Sequence, residues 1–330
     1  MPLDARISNS PALLWRSQGK AVAGILVIPG NPGVCTYYEE YLETLHIALD
    51  RQYTILCASL LGHQAPGGDP SGSSRAFGCK RRFFTVKEQI DAQVHALDRI
   101  EAMHEERVPV ILIGHSFGAY VAQRIFAKHG HRIDSVHYLF PTLANIAMQP
   151  RARRIAPLIT PHGAVLCMWL AHVLAFLPFF VVLALVMLVT GMHGRTAAVS
   201  ATFVRSPQAV FNSLSLARDE MHTIKNYSAD TLRATASAPA RNQTVRAFWA
   251  PSWADSWAPA SARTHAEEQL HLERVPNDPT KLPFRSSTIC RGTSHAFIAH
   301  ASEHMAHITA AYIRNDIAAR NARLVDQVVA

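Results

Sequence analysis

The chain has 330 residues, of which 49% are hydrophobic and 17% are charged, and its formal net charge is +8 with histidine neutral. A chain of this length can bury a core without disulfides or metal ions. A charged fraction below the ~25% of ordinary soluble domains indicates that part of it prefers an apolar environment. The positive charge fits an acidic lipid surface or simply a basic soluble protein, whereas no basic-aromatic motif for nucleic-acid binding is present.

The five cysteines are scattered, odd in number and free of CxxC pairs. This pattern argues against a zinc site and against a disulfide framework, so we expect reduced thiols in an intracellular protein. We expect no bound metal and no other cofactor. Residues 1–18 contain no apolar run of signal-peptide length, so we also expect no cleaved secretory signal.

Five short apolar runs predict the strands of a sheet. Their apolar character is continuous rather than alternating, which is typical of strands buried on both faces. The runs are 24–28, 53–58, 108–113, 136–140 and 245–249. Between them, a capping-box pattern at Thr85 and Glu88 opens a predicted helix that extends to Ile100, and 118–128 predicts another. The alternation predicts an α/β fold with a doubly wound, mostly parallel sheet, formed by 1–330 as a single domain.

The motif GHSFG at 114–118 lies directly after a predicted strand and before a predicted helix. In that context G-x-S-x-G is typical of a nucleophile elbow, in which a sharp turn raises the serine above the sheet. The beginning of the helix also places partial positive charge near a developing oxyanion. We therefore predict that Ser116 is the nucleophile of an α/β-hydrolase fold.

A serine needs a general base, and in this fold the chain order is serine, acid, histidine. Of the 18 histidines, His295 follows the run 287–290, where a loop after the last strand would direct it toward Ser116. His300 and His304 fall in the helical pattern that follows and are expected to be surface or core residues. We predict that His295 is the base.

The acid is expected in a loop between Ser116 and His295. Asp255 follows the predicted strand that ends at Trp249. Asp219 is the alternative, but it lies in a polar helical stretch, which is more typical of a solvated charge. We predict that Asp255 orients the imidazole and stabilises the imidazolium.

The oxyanion hole requires two backbone N–H donors, one from the residue after the nucleophile and one from an early loop. Phe117 supplies the first. The loop PGNPG at 29–33 follows a predicted strand and can supply the second through Asn31, because its prolines have no N–H. A simple turn is the alternative interpretation of this loop.

These motifs together resemble one family, the lipid droplet-associated hydrolases. The matching stretches are IPGNPG at 28–33 with Tyr37 and Tyr38 after it, GHSFGAY at 114–120, LFPT at 139–142, DSWAP at 255–259 and SHAF at 294–297. The resemblance implies an α/β-hydrolase fold, a triad of Ser116, Asp255 and His295, and an association with lipid droplets and the endoplasmic reticulum. It also implies hydrolysis of sterol esters. Lipid esters, whether sterol or acylglycerol esters, are therefore the candidate substrates.

One segment, 164–189, carries no charge and is rich in Leu, Val and Phe. Pro178 divides it into halves that are each shorter than the ~20 residues of a spanning helix. A complete span would also place Ser116 and His295 on opposite sides of a membrane. We therefore predict an apolar hairpin, within an inserted cap at 144–240, that enters one leaflet or a droplet monolayer. A buried cap packed on the main domain is the alternative.

Arginines flank this segment and are suited to anionic headgroups. They are Arg151, Arg153, Arg154 and Arg195. We expect a serine ester hydrolase that acts on lipid at the cytosolic face of droplets and the endoplasmic reticulum membrane, through an acyl-enzyme on Ser116. The alternatives are a droplet-surface protein with little turnover and a soluble carboxylesterase or thioesterase. Nothing in the sequence indicates an oligomeric state.

Overall fold

Nine strands form one sheet in a computed structural model that describes residues 3–7, 10–63, 83–276 and 282–329. In chain order they are β1 (Leu3–Ile7), β2 (Ser10–Trp15), β3 (Ala23–Ile28), β4 (Tyr53–Ala58), β5 (Val110–His115), β6 (Ser135–Leu139), β7 (Thr244–Trp249), β8 (Glu273–Arg274) and β9 (Arg285–Ile289). Their order across the sheet is β1-β2-β4-β3-β5-β6-β7-β9-β8. The pairs β1–β2 and β2–β4 are antiparallel, and the other described pairs are parallel. The predicted mostly parallel sheet is confirmed.

Helices cover both faces of the sheet. They are α1 (Glu39–Ala48), α2 (Val86–Glu101), α3 (Phe117–His129), α4 (Pro150–Ile155), α5 (Pro161–Phe176), α6 (Phe179–Thr190), α7 (Gly194–Val204), α8 (Pro207–Thr223), α9 (Ala229–Ala236), α10 (Ala260–Leu270) and α11 (Ser302–Val329). One core lies between the sheet and α1 and α11, and contains Ile25 and Val27 of β3. The other lies under α2, α3 and α10, and contains Leu26 and Ile28. Because successive side chains point to opposite faces, a strand covered on both sides is apolar throughout.

Local signals in the sequence set several element boundaries. The hydroxyl of Thr85 accepts a hydrogen bond from the backbone N–H of Glu88, whose side chain accepts from the N–H of Thr85. The predicted capping box is therefore confirmed. The predicted strand 108–113 begins instead at Val110, since Pro109 has no N–H for the ladder. Cys79 lies outside the described residues, and Cys57, Cys167 and Cys290 are free thiols.

Between β6 and β7 the chain forms six helices, α4 to α9, within the segment 144–240. The break between α5 and α6 falls at Leu177 and Pro178. Helix α5 packs against α8, and α6 packs against α7. In the described part of the chain, no single helix is long and apolar enough to cross a membrane. Helices α6 and α7 meet those criteria only as a pair bent by 112°.

Candidate active site

Ser116 occupies the turn between β5 and α3 with a φ of 53°, a conformation that residues other than glycine rarely adopt. The turn is tight because α3 begins directly against the end of β3. A β-carbon added to Gly118 would lie 2.1 Å from the carbonyl oxygen of Ile28. The second glycine of the motif is therefore required by this close approach of two backbones.

A chain of hydrogen bonds joins the three residues predicted for the triad. The hydroxyl of Ser116 lies 2.8 Å from Nε2 of His295, and Nδ1 of His295 lies 2.9 Å from Oδ2 of Asp255. The other carboxylate oxygen of Asp255 accepts from the backbone N–H groups of Trp257 and Ala258, both at 2.8 Å. The three side chains follow β5, β7 and β9, which are parallel, so their loops meet at the carboxyl edge of the sheet.

The buried carboxyl of Asp255 is held in its ionised form. Burial alone would raise its pKa, but the hydrogen bond from His295 and those from the two backbone N–H groups keep the pKa below its usual value. A carboxylate here fixes the proton of the imidazole on Nδ1. Nε2 is then left as an acceptor for the proton of Ser116.

The alternative residues lie elsewhere. Asp219 is in α8, and its Oδ2 accepts from the backbone N–H of Val86 in the first turn of α2, at 2.7 Å. It is therefore a half-buried, paired carboxylate at a helix N-terminus, and the expectation of a solvated charge was wrong. His300 and His304 are exposed. The structure brings Asp255 and His295 to Ser116. It places Asp219, His300 and His304 away from Ser116.

The loop 29–33 runs directly against the candidate nucleophile. A β-carbon added to Gly30 would lie 3.0 Å from the β-carbon of Ser116. Asn31 lines the same cavity as Ser116. Phe117 is the first residue of α3, a position where the N–H has no acceptor within the helix. Both residues predicted for the oxyanion hole thus lie beside the serine.

A cavity of about 300 Å³ opens at Ser116 and His295. Its wall is mainly apolar, and much of it comes from the helices between β6 and β7. The apolar residues of the wall include Ile146, Ile155, Met192, Leu214, Ala217 and Ile298. Cavities of this size and lining are typical of sites for small organic molecules. Among the described residues, no group of three or more His, Cys, Asp or Glu side chains is placed to bind a metal ion.

Residues 22–298 match the family model for the lipid-droplet associated hydrolases. The chain belongs to this family. A relative from Gallus gallus, named lipid droplet-associated hydrolase, is 26% identical over 298 residues, covering 88% of this chain and 85% of that protein. The resemblance predicted from the motifs is confirmed, and the family makes the chain a hydrolase.

Solved structures of other hydrolases share the fold. The haloalkane dehalogenase DatA of Agrobacterium tumefaciens superposes with a TM-score of 0.63 and 14% identity, covering 96% of this chain and 97% of that one. A carboxylesterase of Nitrososphaera gargenis superposes with a TM-score of 0.55 and 12% identity, covering 96% and 98%. At such identities the likeness shows the fold alone, and it confirms the predicted α/β-hydrolase fold.

In this member of the family, two buried residues that the sequence did not predict to be functional connect three parts of the site. The backbone N–H of Gly30 donates to the hydroxyl of Tyr38 at 2.8 Å, and this hydroxyl donates to Nδ1 of His115 at 2.6 Å. Nε2 of His115 then donates to the carbonyl oxygen of His295 at 2.9 Å. The relay connects the loop 29–33, the strand that carries the serine and the loop of the histidine.

These donor and acceptor roles require a neutral His115 with its proton on Nε2. Burial, together with the nearby His295, lowers the pKa of His115 to about 3. Burial also raises the pKa of Tyr38 far above its usual value. Both side chains therefore keep their roles at any pH near neutrality. The sequence signals for this relay were limited to the position of His115 beside the serine and of Tyr38 shortly after the loop 29–33.

Glu220 of α8 also lines the cavity, and the sequence did not single it out. It is only 4% exposed, and its Oε1 accepts from the side-chain amide of Asn31 at 2.8 Å. Burial raises the pKa of Glu220 to about 8. The neighbouring Asp219 also raises this pKa, whereas the hydrogen bond from Asn31 lowers it. At neutral pH the carboxyl is therefore protonated and uncharged. A glutamate on a helix gives no sequence signal for such burial.

Proposed function

We propose that this hydrolase cleaves lipid esters, with Ser116 as nucleophile, His295 as general base and Asp255 as the acid that orients the base. The proposal is carried by the hydrogen-bonded chain from Asp255 through His295 to Ser116, which ends in an apolar cavity of about 300 Å³. A serine hydroxyl is a weak nucleophile by itself, and an imidazole within hydrogen-bond reach is what activates it.

The reaction takes two steps. The hydroxyl oxygen of Ser116 attacks the ester carbonyl carbon while its proton passes to Nε2 of His295, and the resulting oxyanion accepts hydrogen bonds from the N–H groups of Asn31 and Phe117. The carbon–oxygen bond to the alcohol breaks, His295 gives its proton to the leaving oxygen, and an acyl-enzyme remains. A water deprotonated by His295 then attacks the acyl carbon, and the acid leaves as Ser116 regains its proton.

The outer surface of the insertion supports a lipid as substrate and as partner. Phe176 is 87% exposed and Leu188 is 82% exposed. Other exposed apolar side chains of α5 and α6 are Leu166, Trp169, Leu170, Val173, Phe179, Phe180, Leu185 and Val189. Large apolar side chains exposed in such number are typical of membrane or protein contacts. We propose that this patch enters a droplet monolayer or the cytosolic leaflet of the endoplasmic reticulum, which favours the inserted hairpin over a buried cap.

The position of the cavity agrees with a substrate that enters from this surface. Ile155 and Met192 line the cavity, and each is close in sequence to exposed apolar residues, Leu158 and Leu188. The segment 144–240 then serves as a cap that connects the lipid phase to the serine. Three exposed arginines of α4 are available for anionic headgroups: Arg151, Arg153 and Arg154. Arg195, by contrast, forms an ion pair with Glu39.

Labelling with a fluorophosphonate tests the nucleophile. Ser116→Ala should abolish labelling and reduce hydrolysis of a lipid ester by several orders of magnitude. Ser200→Ala is the matched control, because Ser200 also lines the cavity but should leave labelling intact. An unlabelled wild type would rule out a serine hydrolase. A labelled wild type that hydrolyses no lipid ester would instead support a droplet-surface protein with little turnover.

A further inference from the structure

A second cavity lies next to the active-site cavity. Its volume is about 180 Å³, and Trp257 and Ile146 line both cavities. The loop after β6, the loop of Asp255 and helix α10 enclose it. Its wall contains buried polar side chains that the proposed triad does not use.

Two of these side chains have no hydrogen-bond partner among the described residues. They are Trp249, through its indole nitrogen, and Thr142, through its hydroxyl, and they are 2% and 4% exposed. A buried polar group left without a partner is unfavourable, so a ligand or water in the cavity would be stabilised by bonding to it. An indole N–H can only donate. A ligand that satisfies Trp249 must therefore present an acceptor such as an oxygen atom.

The chemistry of the proposed reaction determines which part of the ester lies on this side. The leaving oxygen takes its proton from Nε2 of His295, so the alcohol part of the ester must lie beside this imidazole. The ring of Trp257 is 6.2 Å from that of His295, centre to centre. Because Trp257 also lines the second cavity, an alcohol group beside His295 is adjacent to that cavity.

We propose that the second cavity binds the alcohol part of the substrate and that Trp249 and Thr142 select an alcohol with additional oxygen atoms, such as a glyceryl group. This inference rests on the proposed ester hydrolysis. A water-sized atom occupies roughly 30 Å³. A cavity of about 180 Å³ therefore holds a group the size of glycerol. The four fused rings of a sterol are much larger. The first, apolar cavity then receives the acyl chain.

The test compares two esters of the same fatty acid, a 1-acylglycerol and a methyl ester. For each variant, the ratio of kcat/KM for the glyceryl ester to kcat/KM for the methyl ester is measured. Thr142→Val and Trp249→Phe each remove one donor, and each should lower this ratio about 2- to 10-fold, the loss expected for one neutral hydrogen bond. Thr235→Val is the control, because its hydroxyl is also buried and unpartnered among the described residues but does not line the cavity.

An unchanged ratio in Thr142→Val, with both esters still hydrolysed, would overturn the assignment of the second cavity and leave the proposed function intact. The same conclusion would follow if the wild type preferred a sterol ester to the 1-acylglycerol. A wild type that hydrolyses none of these esters would overturn the proposed function, and this inference with it. If Trp249→Phe fails to fold, Thr142→Val decides alone, since valine has the shape of threonine.

Discussion

The side-chain amide of Asn31 donates a hydrogen bond to the buried carboxyl group of Glu220, 2.8 Å away, although 189 positions separate the two residues in the chain. Ser213 of the same helix adds two more hydrogen bonds to Asn31, through its carbonyl oxygen at 2.9 Å and its hydroxyl at 2.5 Å. Helix α8 and the loop 29–33 are therefore held together as one unit. The charge on Glu220 consequently bears on the position where an oxyanion would form.

We expect kcat/KM to fall as the pH rises past about 8, where Glu220 ionises. A carboxylate beside Asn31 opposes negative charge on the ester oxygen. One pH unit above the pKa, only about a tenth of the molecules keep the proton, so kcat/KM should be roughly tenfold lower there. The pKa of Tyr37 is raised by burial to about 12 and that of His115 is lowered to about 3, so neither titrates in this range. Glu220→Gln keeps the hydrogen bond from Asn31, cannot ionise and should abolish the decline. If kcat/KM of the variant declined equally with pH, the decline would be due to another titratable group.

The stability of the protein should change over the same pH range. Glu220 has its pKa raised from 4.5 to about 8 on folding, so its neutral form stabilises the fold fully below pH 4.5 and this contribution is lost as the pH rises through 8. The free energy of unfolding should therefore decrease over this interval, and less so in Glu220→Gln. Denaturant unfolding of both proteins at several pH values checks this. If the free energy of unfolding depended on pH equally in the two proteins, Glu220 would not be the cause of the decrease.

Asp255→Asn should lower the rate of ester hydrolysis by about 10⁴, because an amide no longer fixes the proton of His295 on Nδ1. The matched control is Asp219→Asn, in which the amide oxygen can still accept from the N–H of Val86. We expect near wild-type activity for this control. The measurement is kcat on a water-soluble ester. If the control were the more damaged variant, the acid would be Asp219 after all.

Tyr38→Phe removes the hydroxyl that connects Gly30 to His115. Two buried polar groups then lose a partner, which should cost about 1–3 kcal/mol of stability. Because Gly30 precedes Asn31 in the loop, kcat should fall more than KM rises. Tyr37→Phe is the neighbouring control: its hydroxyl donates to Ser200 at 3.0 Å, and the change should affect KM rather than kcat. An equal loss of kcat in the two variants would show that the relay does not position the loop.

Polar substitution of the exposed apolar patch should release the protein from lipid without loss of fluorophosphonate labelling. The variant carries four changes to Asn, at Leu166, Val173, Phe176 and Phe180. A buried large side chain contributes about 1.5–3 kcal/mol, whereas each arginine near an anionic surface contributes about 1 kcal/mol. The triple change of Arg151, Arg153 and Arg154 to Gln should therefore weaken attachment only partly.

Flotation with lipid droplets measures attachment of both variants. Ile47→Asn is the control, since Ile47 is an exposed apolar residue of α1 outside the insertion. A labelled fourfold variant that floats like the wild type would place the lipid contact elsewhere.

The sequence was sufficient for those parts of the fold and site that depend on local signals. Ser116 could be placed because the glycines, the preceding strand and the following helix are consecutive in the chain. His295 and Asp255 followed from the chain order of the fold, since each comes after a predicted strand. The strand β2 was missed because it contains Pro11, which argues against a strand.

Features that depend on contacts between distant segments could not be predicted. Glu220 looks like any acidic residue of a polar helix, and only the packing of α8 against the loop of Asn31 buries it. The paired state of Asp219 depends in the same way on where α2 begins. The segment 164–189 is apolar all round, so its sequence does not indicate which residues face α8. In the structure α5 packs against α8, its buried residues are Ala164, Met168 and Ala171, and most larger side chains remain outside.

The φ of Ser116 is 53°, so the stability of the turn and the proposed role as nucleophile favour different residues at this position. A side chain in such a conformation costs about 1–3 kcal/mol, and glycine would avoid this cost. Selection for a stable fold alone would therefore favour glycine between His115 and Phe117. The proposed role as nucleophile requires a serine instead, and that role comes at the expense of the stability of the turn.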